Sequence, residues 1–197
     1  MRPLEGTVDE SYFGYGSLVN RHTRVSGRSV RPGYVTGWVR QWKHCSATPF
    51  GNVCALTVTR RPGVQIDGVF ILDDAEGMAA VDRREDGYER VRLEPGEVDA
   101  SFADLNAFMY VSSSEYTRWG DEEFPILRSY LDCVLAGYID VWGPDGARHF
   151  IQTTEGWQVP IFNDREMPKY PRAVALDEFS RSTIDDLLKQ NGIVCSR

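Results

Sequence analysis

Hydrophobic residues alternate with polar ones through the first half of this chain, then recur every three to four residues in the second. A period of two suits half-buried strands and a period near 3.6 suits helices. Segments 29–34, 37–48, 52–59 and 68–72 alternate or run apolar, divided by Pro-Gly pairs at 32–33 and 62–63 and by Pro49-Phe50-Gly51-Asn52. Those pairs read as turns. Residues 107–111 continue the sheet, with the acidic stretch 94–99 as the turn before them. From 122 to 137, Ile126, Leu127, Tyr130, Leu131, Val134 and Leu135 trace an amphipathic helix, with Pro125 in its first turn and Gly137 at its end. A shorter helix is expected from Ser182, where Asp185 completes a capping-box-like pair before Leu187 and Leu188. The fold class is therefore α+β: a mainly antiparallel, barrel-like sheet with helices packed around it.

The 197 residues suit a single domain over 1–197 with one substantial core. A net charge of -7 without a basic face argues against nucleic acid as a partner. No stretch reaches membrane-span length, and residues 1–10 lack a signal-peptide apolar core, so the cytoplasm is the expected location. Cys45, Cys54, Cys133 and Cys195 have no metal-ligand spacing with His22, His44 and His149. They read as reduced core residues, with Cys45 and Cys54 neighbours across a hairpin.

Two short segments carry chemistry. Tyr12-Phe13-Gly14-Tyr15-Gly16-Ser17-Leu18 is an apolar strand running into a turn without Cβ at alternate positions. Its N–H groups can face a carboxylate or an oxyanion, or the segment can be a plain strand-to-loop turn. A phosphate loop is excluded: no Gly-Lys-Ser/Thr follows, and Val19 stands where G-x-G-x-x-G needs its third glycine. The second segment is 81–91. Asp73 or Asp74 can cap a short helix with Ala75, Met78, Ala79 and Val81 on its apolar side, and Gly87 can stop it. Residues 88–93 then alternate as a strand. Glu85 falls at the helix end, where the dipole and burial both oppose ionisation while Arg83, Arg84 and Arg90 favour it. Tyr88, Arg21 and Tyr170 are further pocket candidates. Tyr170-Pro171-Arg172 is stiffened by its proline, as a flap over a pocket or as a buried connection.

Together, Phe13-Gly14-Tyr15-Gly16-Ser17-Leu18 and Arg84-Glu85-Asp86-Gly87-Tyr88 resemble the paired motifs of the gamma-glutamylcyclotransferase-like superfamily, the first in the form typical of its ChaC-type branch. The resemblance covers roughly the first half. The Gly-rich Asn-x-Glu-Tyr-Leu segment of ChaC-type enzymes is missing; Trp157, Pro160, 162–165 and 170–172 stand in its place. The resemblance implies a small mixed β-barrel with surrounding helices and an enzyme that cyclises a gamma-glutamyl peptide or amine to 5-oxoproline. It places the acid–base role on Glu85 and substrate binding on the backbone of Tyr15, Gly16, Ser17 and Leu18. It implies a small-molecule substrate, no cofactor and no metal. Two other readings stay open: a non-catalytic binding protein of the same fold, and a hydrolase using Ser17 with His22 as the nearest base in sequence.

Overall fold

A computed structural model describes residues 10–24, 27 and 29–196. The chain opens with β1 (Glu10–Gly14), followed by 3-10 turns at Ser17–Val19 and Arg21–Thr23. β2 (Ser29–Thr48) and β3 (Gly51–Asp73) form one long hairpin. Then come α1 (Ala75–Arg84), β4 (Tyr88–Arg92), 3-10 turns at Pro95–Glu97 and Ala100–Phe102, and β5 (Ala107–Ser112). The second half contains β6 (Ile126–Leu127), α2 (Arg128–Gln152), β7 (Thr154–Glu155), β8 (Ile161–Phe162), α3 (Glu178–Gln190) and β9 (Cys195–Ser196).

Six strands form a mixed sheet in the order β4-β5-β1-β3-β2-β7, with β1–β5 and β2–β7 parallel and the other pairs antiparallel. β6, β8 and β9 make a small parallel sheet beside it. The α+β class holds, but the sheet is not a closed barrel. Its edge strands β4 and β7 do not pair with each other, so the ladder ends where closure would require a further register.

Neither Pro-Gly pair ends a strand. Pro32 and Gly33 lie inside β2, opposite Val69 and Gly68. A Cβ on Gly33 would come within 2.8 Å of Phe102 and 2.9 Å of Phe70, so this glycine makes room for stacked rings. Pro62 and Gly63 lie in a bulge: residues 61–64 stand opposite Gly37, between the pairs Thr36–Gln65 and Trp38–Arg60. Gly63 takes a φ of 82°, open to glycine at little cost. The four expected strand segments are thereby two continuous strands.

α1 ends as its sequence indicates, with the Asp74 carboxylate accepting from the Gly77 N–H and Gly87 reversing the chain at φ 85°. The longer helix departs from expectation. Pro125 precedes β6 rather than a helical turn, and α2 continues past Gly137 to a break at Gly143 and Pro144. A Cβ on Gly137 would meet the Asn20 main-chain nitrogen at 2.7 Å, and Asn20 Nδ2 donates to the Cys133 carbonyl at 2.9 Å. Gly137 is therefore a docking point for the turn after β1, not a stop. α3 starts at Glu178, capped by Asp177, four residues before Ser182. Asp185 is not a cap; it pairs with Arg128 and Arg165.

One core joins both halves of the chain. Tyr12, Trp42, Ile66 and Ile71 of the sheet pack in the same cluster as Leu131, Val134 and Tyr138 of α2. Burying such a side chain contributes about 1.5–3 kcal/mol. Cys45 and Cys54 pair across the hairpin as free buried thiols. No described helix is long and apolar enough to cross a membrane.

Candidate active site

A cleft opens where β1 leaves the sheet. Its lining comprises residues 13–18, Leu56 of β3, Glu85 after α1, and the rings of Tyr88, Tyr110 and Tyr130. The turn folds back so tightly that a Cβ on Gly14 would lie 2.8 Å from that of Leu18. Its orientation is fixed from below. Buried Arg40 donates from Nε to the Tyr15 carbonyl at 3.1 Å, and the Tyr138 hydroxyl donates to the same oxygen at 3.0 Å. In a trans peptide the Gly16 N–H points opposite to that carbonyl, away from Arg40. The first bond across the 3-10 turn runs from the Val19 N–H to the Gly16 carbonyl. The N–H groups of Ser17 and Leu18 precede it and find no acceptor within the turn. The turn thus offers main-chain donors beside the cleft.

Glu85 reaches the cleft because α1 stops one residue earlier. Its N–H still bonds the Val81 carbonyl at 2.9 Å, and its own carbonyl accepts from Tyr88 at 3.0 Å. The carboxylate is 16% exposed and lies 2.9 Å from Arg84 Nε. Arg84 is shared: one terminal nitrogen donates to the Thr23 carbonyl at 2.5 Å and the other to Ser17 Oγ at 3.0 Å. Burial pushes the Glu85 carboxyl above its ordinary value, and the opposing charges of Arg84 and Arg172 do not cancel that rise. The direction left open by the sequence is therefore upward.

The tyrosines are neutral walls. Burial raises Tyr15, Tyr88 and Tyr130 well above the usual phenol value. Tyr15 donates to the Tyr110 carbonyl at 2.5 Å, and Tyr88 donates to the Leu56 carbonyl at 2.8 Å. Behind Tyr88, His44 stacks at a centroid distance of 4.1 Å and is pushed down to about 4 by burial, so the imidazole is neutral.

Of the residues singled out by sequence, Glu85, Tyr15, Gly16, Ser17, Leu18 and Tyr88 meet in this cleft. Tyr170 lies at the border of the cleft and the adjoining groove, its side chain hydrogen-bonded to Ser17 and its ring 5.1 Å from that of Tyr130. Arg21 is elsewhere: it is exposed, bonded to His22 and 3.6 Å from Asp140. A basic residue after a turn found solvent rather than a pocket. Ser17 Oγ accepts from a guanidinium, while His22 is held by Arg21, so no base is set against that hydroxyl. Sequence reasoning missed Leu56 and Tyr130, whose spacing is that of ordinary core positions. It treated Arg84 only as a countercharge, although adjacency to Glu85 was its one visible signal.

No protein-family model matches the sequence, and no curated protein matches it. Solved structures do. An uncharacterized protein from Homo sapiens superposes with a TM-score of 0.54 at 15% identity, over 90% of this chain and 99% of that one. A structure described as gamma-glutamyl cyclotransferase gives 0.53 at 15% identity, with the same coverage. YkqA from Bacillus subtilis gives 0.51 at 13% identity, over 75% of this chain and 56% of that chain. The fold is therefore shared with the structure described as gamma-glutamyl cyclotransferase.

Proposed function

We propose that this protein is a gamma-glutamylcyclotransferase-type enzyme, converting a gamma-glutamyl peptide or amine to 5-oxoproline with release of the amine. The observation that carries this reading is the meeting, in one cleft, of a buried carboxylate raised above its ordinary pKa and a turn with outward main-chain donors. In the reaction the substrate's α-amine nitrogen bonds to its own γ-carbonyl carbon, closing a five-membered lactam, and the bond from that carbon to the departing nitrogen breaks. Holding the substrate folded back on itself removes about 7–11 kcal/mol of barrier. Glu85 takes the proton the attacking amine sheds and gives it to the leaving nitrogen, so the carboxylate ends as it began. A positioned acid–base group of this kind is worth about 10²–10⁴-fold. The N–H groups of the β1 turn stabilise the tetrahedral oxyanion and the α-carboxylate. Nothing is oxidised or reduced.

The test is incubation of purified protein with gamma-glutamyl dipeptides, gamma-glutamyl amines and glutathione, measuring 5-oxoproline and free amine. One-to-one release from at least one compound is expected; absence of 5-oxoproline across the set rejects the reading.

A further inference from the structure

A second, larger space adjoins the cleft. Tyr130 lines both, and its ring meets that of Tyr170 on the groove side. This groove encloses about 300 Å³, at the lower end of the roughly 300–1,000 Å³ of small-molecule sites. Its composition differs sharply from that of the cleft. Pro49, Phe50, Val53 and Leu127 provide an apolar surface, and Phe50, at the tip of the β2–β3 hairpin, is 51% exposed. At one side stand Lys169 and Arg172. Among the described residues no carboxylate lies within ion-pairing distance of either, and Arg172 is close enough to Glu85 to oppose the rise of its pKa. The groove therefore runs alongside the reacting carboxylate and offers apolar surface together with positive charge.

This inference rests on the cyclotransferase reading: with the gamma-glutamyl half in the tyrosine-walled cleft, the departing half extends past Tyr130. We infer that the departing half is an α-amino acid with a large apolar side chain and a free carboxylate, so that the substrates are gamma-glutamyl dipeptides such as gamma-glutamyl-phenylalanine or gamma-glutamyl-leucine. The side chain lies against Pro49, Phe50, Val53 and Leu127, and the carboxylate meets Arg172 and Lys169. Small departing groups leave the apolar surface wet. Departing amines without a carboxylate form no ion pair with Arg172 or with Lys169, whose ammonium lies 4.3 Å from the Phe162 ring centroid.

Initial rates of 5-oxoproline formation by the full chain test this with gamma-glutamyl-phenylalanine, gamma-glutamyl-leucine, gamma-glutamyl-glycine, gamma-glutamyl-phenylalaninamide and glutathione. The expected result is a kcat/KM for the first two at least about 10-fold above that for gamma-glutamyl-glycine, given about 10–200-fold discrimination per methylene-sized difference. The amide, which lacks the carboxylate, falls below its parent acid. Phe50→Ser, at an exposed position, lowers kcat/KM for gamma-glutamyl-phenylalanine by a larger factor than that for gamma-glutamyl-glycine. Turnover that is equal across the dipeptides, or highest with glutathione or the amide, overturns the assignment of the groove while the cyclotransferase reading stands. No 5-oxoproline from any compound overturns both.

Discussion

Two arginine–carboxylate constellations built on largely buried guanidiniums occur in this molecule, and they end in opposite electrostatic states. At the start of α2, Arg128 meets Asp132 at 2.8 Å and also pairs with Asp185, while Arg165 meets Asp132 at 2.7 Å and Asp185 at 2.9 Å. Each carboxylate is bracketed by two guanidiniums. Although burial pushes Asp185 up, Arg165 and Arg128 hold its carboxyl below the ordinary value. Hydrogen bonding to Asp132 raises Arg165 against the effect of burial. At the cleft, Glu85 has one ion-pair contact with Arg84, because the remaining arms of that guanidinium are taken by Thr23 and Ser17. There burial prevails and the carboxyl is raised. Both regions have a cation beside an anion. What separates the lowered carboxyl from the raised one is how many donors the cation has left to give.

The sharpest contrast comes from removing charge at each place. Glu85→Gln should lower 5-oxoproline formation by about 10²–10⁴-fold. Its melting temperature should be unchanged or higher, because an incompletely compensated buried charge is gone; wild-type turnover would break the comparison. Asp132→Asn should do the reverse. Leaving two guanidiniums short of a partner costs about 3–5 kcal/mol, read as a lower urea midpoint, while turnover per folded molecule is retained.

Acid separates the two regions next. His44, beside Tyr88, is held down to about 4 against an ordinary 6.5 by burial. The unfolded chain then binds more protons between those values, so stability falls as pH drops from 6.5 towards 4, by about 3 kcal/mol in all. Asp185, with its lowered carboxyl, loses its contribution only at lower pH. His44→Asn should flatten the stability slope between pH 6.5 and 4 in equilibrium urea unfolding. An unchanged slope would assign the acid sensitivity to another group. Glu85 has the opposite sign: with its pKa raised, its stabilising contribution is present below the unfolded value and is lost as pH rises through the folded one. The proposed base role needs the ionised form, so the acid limb of kcat/KM should lie above the ordinary glutamate value. Arg84→Gln should move that limb higher still.

The smallest effects lie in the turn. Ser17→Ala removes an acceptor from Arg84 and a hydrogen-bond partner from the Tyr170 hydroxyl, and should cost less than about 10-fold in kcat/KM, since the proposed oxyanion donors are main-chain groups. Gly16→Ala should cost more, because its Cβ would lie 3.2 Å from the Tyr130 hydroxyl and 3.4 Å from Leu56, inside the cleft. Equal loss in both variants would give the Ser17 hydroxyl a direct part.

What could be read from the chain was local. The Asp74 cap, the Gly87 reversal and the pairing of Cys45 with Cys54 follow from neighbouring residues. The α2 period was legible but its limits were not, because Gly137 owes its identity to Asn20, far away in sequence. Pro-Gly pairs misled because a bulge and a ring contact require the same residue types as a turn. At the cleft, the two motif segments stood out. Tyr130 and Leu56 did not, since a residue facing a cavity and one facing the core have the same spacing on an element.

The β2–β3 hairpin sets an order of assembly. Its pairs close outward from a turn at residues 49–50, each contact adjacent to one already made, so the loop-closure entropy per step is small. Gly16 and Glu85 lie on opposite sides of that hairpin in sequence and meet only after β1 has added to β3. Chain ordering therefore reaches the cleft late, as for any contact that must wait for a long closure. On transient opening of the native state, the same logic makes the β1 turn separate from Glu85 before the hairpin ladder yields. Amide hydrogens of Gly16 and Ser17 should exchange ahead of those in the middle of β2 and β3.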